Sequence, residues 1–458
     1  MSLDTWIDAN RDRLVEEWRE ACRIPSVSSD LDAATRMADW VEPRLERLFD
    51  SVSRVDVAGH APALLAMLAG SGEKRLLVYT HYDVQPAGDG GAWSSPPFAA
   101  ELRDGVVVAR GSCDDKADIT ARLQALEHWL ESLSGPPPFT IVWLCEGAEE
   151  VGSPGLEELL RRHRDELRAD WCLWESFIRG GDGRPEIAFG CRGVVLLELS
   201  VRTMTGDQHA AFSPVFRSAA VELVHAIASL VDANGNVLVP GFEDGILPFT
   251  DDERTAGLSV SPPGRDVGVD GVSPHLAGLD ERALADRLLY TPTINISAIG
   301  AGDVQTGTGV VTATARANVD VHLVPGQQPE AVAALLRAHL DRGGHGHVRM
   351  DVRHLVPPAK SPIDTPLGRA AIVAARETMG EPVVYPLLPG AGPGRMVLDI
   401  LGATTVSPAG TTRLASGIHA ADEHGRIDDY LDHVRFSHQL LVRLADELDR
   451  NEHKETRE

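Results

Sequence analysis

Two periods alternate along this chain. Residues 4–22 and 31–50 place apolar side chains at helical spacing, and each stretch predicts an amphipathic helix. RLLVYT (75–80) is instead a short, continuous apolar run, which predicts a buried strand. VVVAR (106–110), FTIVWLC (139–145) and DWCLW (170–174) give the same signal, with helical patterns over 117–133 and 154–167 between them. Strands alternating with helices predict an α/β layer around a mixed, mostly parallel sheet.

The pattern changes near Gly193. VVLLELSVR (194–202) alternates as a half-exposed strand does, and a helix is expected at 214–231. About 60 residues rich in Gly, Pro and Asp follow, with weak periodicity. Strands are then expected at 293–300, 310–324 and 347–355, with a helix from Pro329 to 341 before the last. The order β-α-β-β-α-β predicts a ferredoxin-like α+β unit. Residues 194–355 therefore read as a domain inserted into a first one, made of 1–193 and 356–458. A helix over 365–379, a strand within 402–408 and a helix over 428–449 complete that first domain.

The chain has 458 residues, enough for two or three domains, and its 43% hydrophobic and 24% charged content is ordinary for globular proteins. Its 43 Lys and Arg face 68 Asp and Glu, a net charge of -25, which argues against a nucleic-acid partner. No apolar run is long enough to predict a membrane span, and the first residues lack the basic and apolar regions of a signal peptide. Five cysteines (Cys22, Cys113, Cys145, Cys172, Cys191) are dispersed without a CxxC pair, which predicts reduced thiols and a cytoplasmic protein. Cys145 and Cys172 lie in apolar runs and are expected in the core, whereas His424 and His433 are expected to face solvent.

Candidate chemistry gathers at the carboxyl ends of the predicted strands. His81 and Asp83 follow RLLVYT, and Asp114 and Asp115 follow VVVARGSC. Glu149 and Glu150 follow FTIVWLC, and Glu175 follows DWCLW. In open α/β sheets that edge binds ligands. So many carboxylates at one edge repel unless a cation neutralises them. Oxygen-only ligation would suit Mg²⁺ or Ca²⁺; a mixed imidazole and carboxylate set suits Zn²⁺, Mn²⁺ or Co²⁺. Two ions bridged by one carboxylate would account for the surplus of ligands.

The stretches THYDVQP, ARGSCDDKAD, CEGAEEVGSPGLEEL, GCRG, GDQHAAF and SGIHAADE stand in this order between Tyr79 and Glu423. In them the chain resembles the dinuclear zinc metallopeptidases that include carnosinase, peptidase V, glutamate carboxypeptidase and aminoacylase. The long irregular insert is similar to the carnosinase and peptidase V branch. The resemblance implies a phosphorylase/hydrolase-like catalytic domain with an inserted lid and dimerisation domain. It implies two divalent ions, Zn²⁺ with Mn²⁺ or Co²⁺ as alternatives. His81, Asp114 (bridging), Glu150, Glu175 and His419 would ligate them. Glu149 would be the general base, and Asp83 would orient His81. A cis peptide between Asp114 and Asp115 is implied, as is a homodimer in which His209 reaches the partner's site and stabilises the oxyanion. The substrate would be a dipeptide or short peptide-like molecule.

Departures from the family pattern fall around the substrate. His322 stands where carnosinase-like members carry an arginine that grips the substrate carboxylate. The Gly-Gly-Ser loop appears as Pro389-Gly390-Ala391-Gly392-Pro393, the downstream His-Pro as Ser361-Pro362, and the Gly after DDK as Ala117. Arg395 is a candidate replacement anchor, with His322 the other candidate substrate residue. Three readings follow: a dipeptidase, an amidohydrolase of N-acyl amino acids or other small amides, and a binding protein that kept the fold. The complete ligand set and Glu149 argue against the last. His345 and His347, in RGGHGHVR, form a short metal-binding-like tract with only a weak signal.

Overall fold

The computed structural model describes residues 1–262, 275, 276, 278–303, 305, 309–390, 392 and 394–455. These form two units: one of 1–189, 361–385 and 393–458, the other of 190–360 and 386–392.

The first unit is built on a six-stranded sheet. Its strands run in the order Ser51–Val55, Ala63–Leu68, Thr140–Glu146, Arg75–His81, Trp171–Leu173 and Thr404–Val406. The last four are mutually parallel and the first two antiparallel. Buried runs such as Leu76–His81 explain why the parallel strands read as continuous apolar segments: helices cover both faces. On one face, helices Leu3–Arg23, Lys116–Ser132 and Ile427–Glu455 share a core in which Trp18 stacks on Tyr430 at 4.5 Å. On the other, Leu156, Leu159 and Leu160 meet Val397 and Ile400. Ser2 and Asp30 cap the first two helices by accepting from Thr5 N and Ala33 N.

Several sequence expectations are corrected here. The second helix ends at Glu46, because 51–55 is drawn into the sheet. The helix expected over 154–167 breaks at His163 into Leu156–Arg162 and Arg164–Leu167. Val106–Val108 lies outside the main sheet, in a three-stranded sheet with Glu101–Arg103 and His424–Arg426. Cys145 and Cys172 are buried as expected. His433 does not face solvent: it is fully buried against Asp118 Oδ1 (3.5 Å) and Thr411 Oγ1 (3.4 Å).

The second unit is an antiparallel four-stranded sheet in the order Thr293–Ala301, Thr314–Leu323, Gly193–Arg202 and Arg349–Val356. Helices Ala219–Leu230 and Pro329–Arg342 complete the β-α-β-β-α-β order. Val195, Leu197, Leu199 and Val201 point to one face, where they pack with Leu223 and Leu336. The low-periodicity stretch between Ala219–Leu230 and Thr293–Ala301 contains helices Asp251–Ala256 and Glu281–Tyr290. Among the described residues no helix is long and apolar enough to cross a membrane.

The long last helix carries a pH-sensitive element. His438 is buried and, among the described residues, has no hydrogen-bond partner at either ring nitrogen, and burial followed by the nearby His128 pushes its pKa down to about 4. A histidine whose folded pKa lies below its unfolded value of ~6.5 binds a proton more readily when unfolded. Its neutral form is therefore tolerated above pH ~6.5, and stability is lost as pH falls from there toward 4. His438→Leu should stabilise the protein by about 2 kcal/mol more at pH 5 than at pH 8. Urea unfolding at both pH values checks this; an equal gain at both would exclude the titration.

Candidate metal centre

His81 ends the strand Arg75–His81, so the sheet fixes its backbone. Its Nε2 lies 2.9 Å from Asp114 Oδ1 and 3.3 Å from Glu175 Oε2. Asp114 turns its other oxygen, Oδ2, to His419 Nε2 at 3.2 Å, and Glu150 Oε2 lies 3.0 Å from that same nitrogen. Asp114 thus stands between two imidazoles, one oxygen to each. The peptide bond from Asp114 to Asp115 is cis. His419 sits at φ 60, a left-handed turn that aims its ring back toward Asp114.

Candidate ligand atoms fall into two clusters, each within 4.8 Å: Asp114, Glu150 and His419, and His81, Asp115 and Glu175. Asp115 was given no ligand role in the sequence reading. Its Oδ2 accepts from His81 N at 3.1 Å, and it is buried.

Asp83 organises the site from behind. It is buried, and its Oδ1 lies 3.4 Å from His81 Nδ1. It accepts from Glu149 N (3.1 Å), Glu150 N (3.1 Å) and Ser28 Oγ (2.7 Å). One carboxylate therefore holds both the His81 ring and the turn that bears the two glutamates. Ser28 has no spacing relation to the motifs that would disclose this. Gln85, which lies inside THYDVQP but was given no role, donates from Nε2 to Glu150 Oε2 at 3.1 Å.

Glu423 is a further residue that spacing did not single out. Its buried carboxylate accepts from Arg110 Nη1 (2.6 Å), Gly111 N (2.9 Å), Cys113 N (3.0 Å) and Asp114 N (3.3 Å). It ties the loop carrying Asp114 to the one carrying His419.

The electrostatics ask for a cation. Burial opposes charge on His81, yet Asp114, Asp83 and Glu175 together raise its pKa well above the usual value. Hydrogen bonds to Asp114 and Glu150 raise His419 to about 10. Burial pushes Glu149 up to about 8; His81 opposes this, while Glu175, Asp114 and Glu150 reinforce it. Glu150 Oε1 is buried with no hydrogen-bond partner among the described residues. Two imidazoles, a carboxylate shared between them and an undonated buried oxygen fit divalent metal ions.

Glu175 is braced by Trp174, whose Nε1 donates to Oε1 at 2.7 Å while its ring stacks on Tyr79 at 3.6 Å. Trp174→Phe keeps the stacking and loses the donor. Metal titration should show affinity at the His81–Glu175 cluster weakened ~10–100-fold, with the other cluster little changed. Unchanged affinity would mean that packing alone orients Glu175.

Of the remaining candidates, His209 and His322 belong to the second unit and Arg395 to the first. His209 is exposed, and its Nδ1 accepts from Ala211 N at 3.1 Å. His322 is half-buried on Thr314–Leu323 and lines a cavity of about 510 Å³ with Arg192 and Arg287. Burial and then the Arg192 charge push its pKa down, so the ring favours its neutral form. Arg395 opens the helix Arg395–Leu401; its side chain lies outside the described residues, as do Ala391 and Pro393.

An α/β unit that collects imidazoles and carboxylates at the ends of its parallel strands defines a metal-dependent hydrolase. The chain belongs to the peptidase family M20/M25/M40, whose model matches residues 77–443. It is 28% identical over 376 residues to the Cys-Gly metallodipeptidase dug1 of Schizosaccharomyces pombe, covering 75% of this chain and 76% of that one. It is 27% identical to the Beta-Ala-His dipeptidase of Homo sapiens over 357 residues, 73% of this chain and 70% of the other. Among solved structures it is similar to an M20 family metallo-carboxypeptidase from Sulfolobus solfataricus. That match has a TM-score of 0.80 at 29% identity and covers 94% and 99% of the two chains. Human carnosine dipeptidase 1 gives 0.73 at 25% identity, with 97% and 98% covered. The chain is a metal-dependent peptidase.

Proposed function

We propose that this peptidase is a dipeptidase with a dinuclear centre. His81 and Glu175 would hold one ion and Glu150 and His419 the other, with Asp114 shared between them. The observation that carries this is Asp114 itself, with one oxygen 2.9 Å from His81 and the other 3.2 Å from His419. The dipeptidase names of its relatives support the substrate class. When bound, such an ion pair polarises the scissile carbonyl and acidifies water; Zn²⁺ is the first choice, with Mn²⁺ or Co²⁺ as alternatives.

Glu149 takes a proton from the attacking water as the new C–O bond forms. As the C–N bond breaks, it returns that proton to the leaving amine nitrogen. Asp83 keeps the His81 tautomer fixed, with Nε2 free to ligate.

A second reading has a specific observation behind it. A carboxylate needs a charged or multi-donor partner when buried, and His322 is held toward its neutral form. N-acyl amino acids or small amides without a free carboxylate at that end would suit such a pocket. Metal analysis with a mass-spectrometric screen of dipeptides and N-acyl amino acids, each with free and amidated C-termini, separates the readings. About two ions per chain and release of free amino acids from dipeptides are expected; a fixed stoichiometry of one would exclude the bridged pair.

The enzyme works as a homodimer through its second unit, with His209 completing the partner's site by donating to the oxyanion. Glu149→Gln and His209→Ala proteins, each inactive, should regain activity when their subunits exchange. No recovery after demonstrated exchange would exclude action in trans. The five thiols, all free of disulfides, fit a cytoplasmic protein.

A further inference from the structure

The amino ends of the parallel strands, opposite the metal centre, frame a second cavity of about 650 Å³. Lys74, Arg75 and Arg168 line it, with Glu73, Thr140 and Asp170. Three cations against two acids is unusual in a chain whose net charge is -25. Asp170 is already committed: one oxygen binds Lys74 Nζ at 2.7 Å and the other accepts from Arg75 N at 2.9 Å. Arg75 Nη2 donates to a carbonyl, Glu166 O, at 2.6 Å. Among the described residues neither Arg75 nor Arg168 has a carboxylate at ion-pair distance. The Arg75 pKa is lowered, first by burial and then by the like charge of Arg168. Asp170 offsets this only in part, so Arg75 and Arg168 bring two guanidiniums to the lining of one cavity.

We propose that this cavity binds the phosphate group of a small molecule, with Arg75 and Arg168 as its forked donors and Lys74 at the rim. Guanidinium forks match the oxygens of phosphate, which offers three or four acceptors to several donors at once. The volume falls in the range of small-molecule sites, larger than one oxyanion alone requires. The site is distinct from the metal centre: the seven residues of Arg75–His81 separate them by about 20 Å along one strand. Because that strand begins with Arg75 and ends with His81, an anion held at one end braces the strand that presents a ligand at the other.

The test is calorimetric titration of the metal-loaded enzyme with inorganic phosphate and, separately, with glucose 6-phosphate, at ionic strength matched with KCl. Wild type should show a phosphate site that Arg168→Gln weakens by about tenfold or more, the cost of one charge-assisted hydrogen bond. Arg168 is exposed, so this variant should fold and turn over substrate normally. Arg75→Gln should weaken the same site. Tighter binding of glucose 6-phosphate would assign the site to an organic phosphate, and equal binding to the free ion. Absence of binding, or binding unchanged by Arg168→Gln, would overturn the proposal; the latter would place phosphate elsewhere, the metal centre included.

Discussion

Glu149→Gln should retain its metal and lose turnover by ~10²–10⁴-fold, the typical contribution of a positioned general base. The amide matches the carboxylate in size, and the backbone N–H of Glu149 still donates to Asp83 at 3.1 Å, so the turn is kept. What disappears is the carboxylate oxygen that accepts the proton of the attacking water. Glu150→Gln should behave differently. It removes an oxygen 3.0 Å from His419, so metal content should fall before the chemistry is tested. Metal analysis beside single-turnover kinetics separates the two. Near-normal kcat in Glu149→Gln would show that a different group moves the proton.

Asp114→Asn should have a comparably large effect by another route. Its two oxygens face two different imidazoles, so one substitution weakens both clusters. Changes behind a ligand cost ~10–100-fold in affinity, and loss of a shared ligand should exceed that at both sites. An independent readout exists in the metal-free protein. His419 is raised to about 10 first by its hydrogen bond to Asp114 and then by Glu150. With the charge on Asp114 removed, the protonated imidazole loses its main support, and its titration followed by NMR should move down toward the ordinary value. Full occupancy of both sites in Asp114→Asn would contradict the bridging role.

The parallel core of the fold was legible because burial on both faces leaves uninterrupted apolar runs, as in Arg75–His81 and Thr140–Glu146. Ala63–Leu68 was not, since ALLAML is a sequence of helix formers that becomes a strand through pairing with 141–145. Thr314–Leu323 was read as longer, from 310. The run is broken at Thr312 and Ala313, where Ala313 N is taken by Asp207 Oδ1 at 2.7 Å instead of a strand partner. His433 was misjudged because one polar residue at a helix start gives no clue to a buried acid on another helix. At the site, residues inside contiguous motifs were legible through resemblance. Ser28 lies outside those motifs, and Gln85, Trp174 and Asp115, though inside quoted stretches, were given no such role, because their work is done by single hydrogen bonds or by proximity, neither of which leaves a spacing. His322 stood out only as a departure from pattern; its neutral bias comes from the neighbouring Arg192 and from burial.

The carboxylate of Glu423 has a consequence for how the protein is made. It holds Arg110, Gly111, Cys113 and Asp114, residues that leave the ribosome some 310 positions earlier. Until it arrives, Arg110 is a buried-site cation without its partner and the Asp114 loop lacks its anchor. His419, four residues before Glu423, arrives in the same stretch. The intervening 190–360 can condense on its own as a local sheet with two helices, ahead of the unit it interrupts. Synthesis at ~5–20 residues per second then leaves the first unit waiting for tens of seconds with its apolar surface incomplete. Nascent chains stalled before residue 419 should therefore be the species most in need of a chaperone, and the last to gain protection from proteolysis should be the loop around Asp114.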